Sequence, residues 1–167
     1  MCQFDGNKMG NRYDSMMTRL SARPVYKETF VNLDEAELLA VEATLGFRLP
    51  GDYREFLAKY GVCYSDEDHR IMTEDRETSV DLFYGVEPDD EYDITEIKDL
   101  YGERLESHMV PIASSSGGEI CMSLGEQDYG SIYWWDPHDE AAPASLLAES
   151  FDAFVNSLGL VSGDESE

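Results

Sequence analysis

The stretch from Leu45 to Gly61, LGFRLPGDYREFLAKYG, constrains the rest of the chain most. It reads as the end of one helix, a tight connection and a second helix. Gly46 suits the position after a helix because it accepts a left-handed backbone at no Cβ cost. Pro50 has a pre-set φ and no N–H, which fits a helix start, and Asp52 is placed to help satisfy the free N–H groups there. Tyr53, Phe56, Leu57 and Tyr60 repeat at i, i+3, i+4 and i+7, one apolar face of a helix over 52–60 that Gly61 ends. Upstream, Asn32 with Glu35 suggests a capping box opening a helix over 33–45. Leu38, Val41 and Leu45 form its buried face, with Glu37 and Glu42 off it. So short a join predicts a packed helix pair.

Downstream the period changes. Residues 62–78 are polar and read as a loop with a short strand near Ile71. Val80, Leu82 and Tyr84 alternate with Asp81 and Phe83, a strand over 79–84. Asp93 with Glu96 opens a third helix, with Ile94, Ile97 and Tyr101 on one face and Gly102 at its end. Val110 and Ile112 mark a strand, Ser114–Gly118 a turn, Ile120–Leu124 the next strand, and Ser131–Asp136 a third. In this last one Ile132 and Trp134 share one face and Tyr133 and Trp135 the other, as in a strand covered on both sides. A final helix is predicted from Ser145, with Leu147, Phe151, Phe154 and Leu158 on one face. The order predicts a single α+β domain: a mostly antiparallel sheet, a helix pair at the N-terminal end and a C-terminal helix packed on it. Residues 1–27 read as a flexible N-terminal extension, 28–160 as the domain and 161–167 as an acidic tail.

Charge narrows the function. The net charge is -24, and it is uneven: residues 1–27 hold five basic and two acidic side chains, residues 28–167 seven basic and 34 acidic, and no Lys or Arg follows Arg104. Such a field repels phosphate, which makes nucleic acid and anionic membrane poor partners and a basic protein a good one. A general acidic coat for solubility is the plainer explanation. No apolar run reaches the ~20 residues of a bilayer span, and the first residues lack an apolar signal region, so a cytoplasmic protein is expected. Cys2, Cys63 and Cys121 are too few and too scattered for a disulfide framework or a Cys-x-x-Cys zinc site.

Catalytic signals are weak. His69, His108 and His138 lack zincin spacing, the Ser114–Gly118 run lacks a P-loop ending, and Cys63 and Ser150 sit in no nucleophile motif. No cofactor or metal is implied. The contact candidates are the acidic groups Asp66, Glu67, Asp68, Glu87, Asp89, Asp90, Glu91 and Asp93, and Trp135 with Asp136, Asp139 and Glu140. The Tyr133–Trp135 cluster is either core or an aromatic anchor beside acids.

The chain resembles the SUKH superfamily, the SMI/KNR group. The resemblance rests on Leu45-Gly46, Leu49-Pro50, Tyr53, Phe56-Leu57 and Tyr60, then Val110-Pro-Ile followed by Gly118, Gly130 before Ile132-Tyr133-Trp134, and Phe151 with Phe154, in order over about 33–158. The family's Asn-Gly-Gly after the last of the helix tyrosines is replaced here by Gly61-Val62-Cys63. The resemblance implies the family's α+β fold and a non-enzymatic role. Bacterial members act as immunity proteins that neutralise toxin domains, often nucleases, and some fungal members are regulatory scaffolds. A basic toxin domain is thus the expected partner. A scaffold for a peptide partner and, more remotely, an unrecognised hydrolase are the alternatives.

Overall fold

The computed structural model describes residues 13–19, 22–25, 32–65, 69–72, 77–87, 90–139 and 143–160. The predicted contact residues Asp66, Glu67, Asp68, Asp89 and Glu140, and the acidic tail 161–167, lie outside them.

The helix pair forms as its sequence directs, with corrections at its ends. Helix α2 (Glu35–Leu45) is opened by Asp34 and Glu37 instead of Asn32 and Glu35. Asp34 Oδ1 accepts the Glu37 N–H at 2.8 Å, and Glu37 Oε1 accepts the Asp34 N–H at 2.9 Å. Gly46, at φ 83°, closes α2 by donating its N–H to the Glu42 carbonyl. Helix α3 (Gly51–Lys59) follows Pro50 and buries Tyr53, Phe56 and Leu57, with Tyr60 as its C-cap. Glu42 does not lie off the buried face. It is 7% exposed, and its Oε2 accepts the Leu49 N–H at 2.9 Å and Arg54 Nε at 3.1 Å, pinning the connection between the helices.

Ahead of this pair, within the segment expected as an extension, helix α1 (Asp14–Arg19) and strand β1 (Ala22–Pro24) are built into the domain. Tyr13, Met16 and Met17 are buried in the main core, and the Tyr13 ring meets Phe56 and Phe151 edge-on, each at 5.6 Å.

The 62–79 region is richer than one short strand. It holds β2 (Cys63–Ser65), β3 (His69–Met72) and β4 (Glu77–Ser79). The run predicted as one strand over 79–84 is broken. Its start belongs to β4 and its end is β5 (Leu82–Phe83), in a different sheet, with Val80 and Asp81 as the crossing. Phe83 therefore points into the core instead of alternating outward. Helix α4 (Ile94–Tyr101) leads through a 3₁₀ turn at Gly102–Arg104 to β6 (Met109–Ser115). The hairpin to β7 (Gly118–Ser123) is tighter than predicted, because β6 runs through Ser115. Gly118 is required there by space. A Cβ at that position would come within 2.5 Å of the Trp134 ring and 2.7 Å of the Trp135 carbonyl oxygen.

Strand β8 (Ile132–Trp135) pairs on its far side with β9 (Ser145–Ala148), which corrects the predicted long helix from Ser145. Only Phe151–Asn156 is helical (α5), restarted by Ser150, whose Oγ accepts the Ala153 N–H at 3.0 Å. Gly159 then begins β10 (Gly159–Leu160).

Among the described residues the strands form a seven-stranded sheet, β1-β2-β5-β6-β7-β8-β9, and a smaller one, β10-β3-β4, with antiparallel ladders throughout. The architecture is α+β, as the sequence predicts. One face of the large sheet carries Val110, Ile112, Ile120, Met122, Ile132 and Trp134 into the core shared with α3 and α5. The other face holds a smaller cluster of Leu105, Met109, Cys121 and Trp135. No helix among the described residues is long and apolar enough to cross a membrane.

Candidate protein-interaction surfaces

Two concave surfaces lie beside the predicted contact segments. The first begins at the acidic loop entering α4. Asp93 shapes it from within: it is 4% exposed, and its carboxylate accepts N–H bonds from Thr95, Glu96 and Glu87 and the Thr95 hydroxyl. It is the N-cap of α4 and not a surface contact, which corrects its place among the candidates; four donors leave its oxygens no outward role. Tyr92 stacks on Tyr84 with ring centroids 6.4 Å apart, tying the same loop to the end of β5. Glu87, Asp90 and Glu91 remain at or near the surface around this anchor.

Where α4 starts, it leaves a groove of about 330 Å³ against α2. Leu33, Val41 and Val86 supply apolar walls, and Glu37 and Glu96 stand at the rim. Glu37, Ala40 and Thr44 reach it because they recur at i, i+3 and i+7 on α2, beside the buried stripe of Leu38, Val41 and Leu45.

The second surface is a cleft of about 360 Å³ over the smaller cluster, lined by Arg104, His108, Met109, Asp128, Tyr133 and Trp135. Trp135 is only 6% exposed, with its ring edge-on to Tyr101 at 4.9 Å. It is therefore mainly core, and its prediction as an exposed anchor is corrected: Tyr101 and Leu105 cover it. Asp136 and Asp139 follow it on a turn that Arg104 holds by donating to the Pro137 carbonyl. Asp128 is fixed in the wall by Ser123 Oγ at 2.5 Å and the Tyr133 hydroxyl at 2.6 Å. These two donors hold its carboxyl below the ordinary range, while the bond to Asp128 pushes the Tyr133 hydroxyl up to about 12.

Sequence reasoning missed Glu119, which lies buried between Tyr84 and Tyr101. Tyr84 donates to its Oε1 at 2.7 Å and Tyr101 donates to its Oε2. Burial lifts its carboxyl above the ordinary value, the two hydroxyls opposing. An acid alternating with Ile120 on a strand looks like a solvent-facing position, and only the aromatic cover on the second face removes it from water.

The sequence-level nucleophiles have structural places. Cys63 is buried in the main core, and burial pushes its thiol up to about 12. Ser150 is the α5 cap. Among the described residues no three His, Cys, Asp or Glu side chains gather as a metal site.

Among the described residues, Arg54, Lys59, Lys98 and Arg104 are engaged in the domain's own framework. Arg54 forks onto Glu35 and also reaches Glu42. Lys59 binds Asp14, and Lys98 donates to the carbonyls of Ser107 and Met109. Over the whole chain, acids outnumber lysines and arginines threefold.

The model of the SMI1/KNR4 family (SUKH-1) matches residues 32–157, from just before α2 to the end of α5; α1 and β1 lie outside the match. The chain is also 35% identical over 150 residues to the SPbeta prophage-derived uncharacterized protein YokK of Bacillus subtilis (strain 168), covering 77% of this chain and 75% of that protein. With the helix pair, the antiparallel sheet and the terminal helix in the expected order, the chain belongs to the SMI1/KNR4 (SUKH-1) family.

Proposed function

We propose that this protein is a non-enzymatic immunity protein of the cytoplasm that binds a cognate toxin domain of basic charge and blocks it. The observation that carries the reading is the charge distribution. A family fold presents a net negative surface while Arg54, Lys59, Lys98 and Arg104 are engaged within the domain. A domain that handles nucleic acid must be basic, and an acidic partner meets that charge with fast, steered encounter. Family membership supports the reading through the immunity role that the resemblance implies. Glu87, Asp90, Glu91, Asp136 and Asp139, with Asp66–Asp68, Asp89 and Glu140, are the proposed contacts, and they act on encounter more than on final affinity.

The test is affinity capture from the source cells, eluted along a salt gradient. A basic domain released as salt rises is the expected result. A neutral partner, or one retained at high salt, overturns the toxin reading in favour of a scaffold that binds through apolar groups.

A further inference from the structure

We infer that the groove between α2 and α4 is a docking site for a lysine-bearing amphipathic helix of a partner protein. Its walls of Leu33, Val41 and Val86 are apolar, and the ionisable side chains lining it, Glu37, Asp93 and Glu96, are all carboxylates. Asp93 and Glu96 stand at the first turn of α4, where the helix dipole would otherwise favour an anion; Asp93 already satisfies the N–H groups there, so an anionic ligand has nothing to bind. Lys98, on the same helix, is turned away to the Ser107 and Met109 carbonyls. What suits such a trough is a lysine whose methylene stem lies on the apolar walls while its ammonium reaches Glu37 or Glu96. Leu100, one turn beyond Glu96 on α4, is 73% exposed and offers an apolar contact to the next turn of a docked helix. The second cleft is a poorer fit for the same ligand, because Arg104 and His108 line it.

This inference rests on the proposed function in taking the partner to be basic, but its test needs no toxin. The probe is an 18-residue helical peptide of Lys, Leu and Ala, titrated at low salt into the full chain and followed by amide chemical shifts. The expected perturbations gather at Leu33, Glu37, Ala40, Thr44, Val86 and Glu96. Ala40→Arg, an exposed change that fills the groove, is expected to weaken binding about tenfold, and Glu126→Gln, a charge-matched change elsewhere, less than about twofold. Shifts scattered over the acidic surface, shifts centred on Tyr133, no saturable binding, or equal effects of the two variants each overturn the groove. Failure to capture a basic toxin would sink the proposed function alone, so the two readings fail by different results.

Discussion

Glu119 and Asp128 are both carboxylates on or beside β7, yet their surroundings push them in opposite directions. Asp128, in the cleft wall, is held ionised by Ser123 and Tyr133. It contributes stability above its ordinary value of 3.8, and that contribution is lost as pH falls through its lower folded value. Glu119 pays for burial, and its folded value lies above the ordinary 4.5. The folded state then holds more protons than the unfolded one between these two values, so this residue's contribution to stability falls as pH rises through that window. Glu119→Gln removes the charge and keeps one acceptor oxygen, so one tyrosine still donates to it while the amide NH2 donates to the hydroxyl oxygen of the other. The variant is expected to gain on the wild type at neutral pH, with the gap closing as pH falls toward 4.5. Urea unfolding of both proteins at several pH values measures the gap, and a constant difference would contradict the assignment. Neither role was legible in the sequence, because a chain with 36 acids offers no local sign of which one is buried. Glu42 was missed for a related reason. It lies on the edge of the apolar stripe of α2, and only the return of the chain at Leu49 supplies the N–H that draws it inside.

At the level of elements, the legible parts were those long enough to show a period. Helices α2, α3 and α4 and strands β6, β7 and β8 each repeat an apolar face several times, and the sequence placed them within a few residues. Helix α1 has six residues, too few to establish a 3.6-residue period, so its core contacts could not be seen. The misread final helix has the converse cause. Leu147 is buried from β9, beside a register shift opposite β8, while Phe151 and Phe154 are buried from α5. Their spacing imitates one helical face although two elements supply it. The clamp formed by α1 gives a direct prediction. Tyr13 packs on Phe56 and Phe151, and its hydroxyl donates to the Asp52 carbonyl and to Asp152. Tyr13→Ala is expected to cost about 3–5 kcal/mol, as for other buried aromatic truncations. Denaturant midpoints at an unchanged m-value provide the check, and a loss under about 1 kcal/mol would mean that α1 is not held in the core.

The whole molecule carries one field that acts on folding and on association with opposite sign. A net charge of -24 repels itself in the compact state, so screening should favour the fold. Thermal unfolding of the isolated chain is therefore expected to shift upward between low salt and about 0.5 M sodium chloride, where the screening length has shrunk to a few ångströms. The same screening weakens a complex with a basic partner by slowing encounter. A generic acidic coat for solubility predicts only the first effect, whereas a surface used for binding predicts both. Replacing Asp89, Asp90 and Glu91 by Ser separates them further. Stability is expected to change little, since the relief of like charges is offset by loss of the Asp90 carboxylate that accepts the Tyr92 N–H at 3.0 Å, while association with a captured basic partner slows and its salt dependence flattens. Stopped-flow association across a salt series reads this directly. An unchanged rate would leave the acidity of that loop as a solubility feature and move the binding surface elsewhere on the domain.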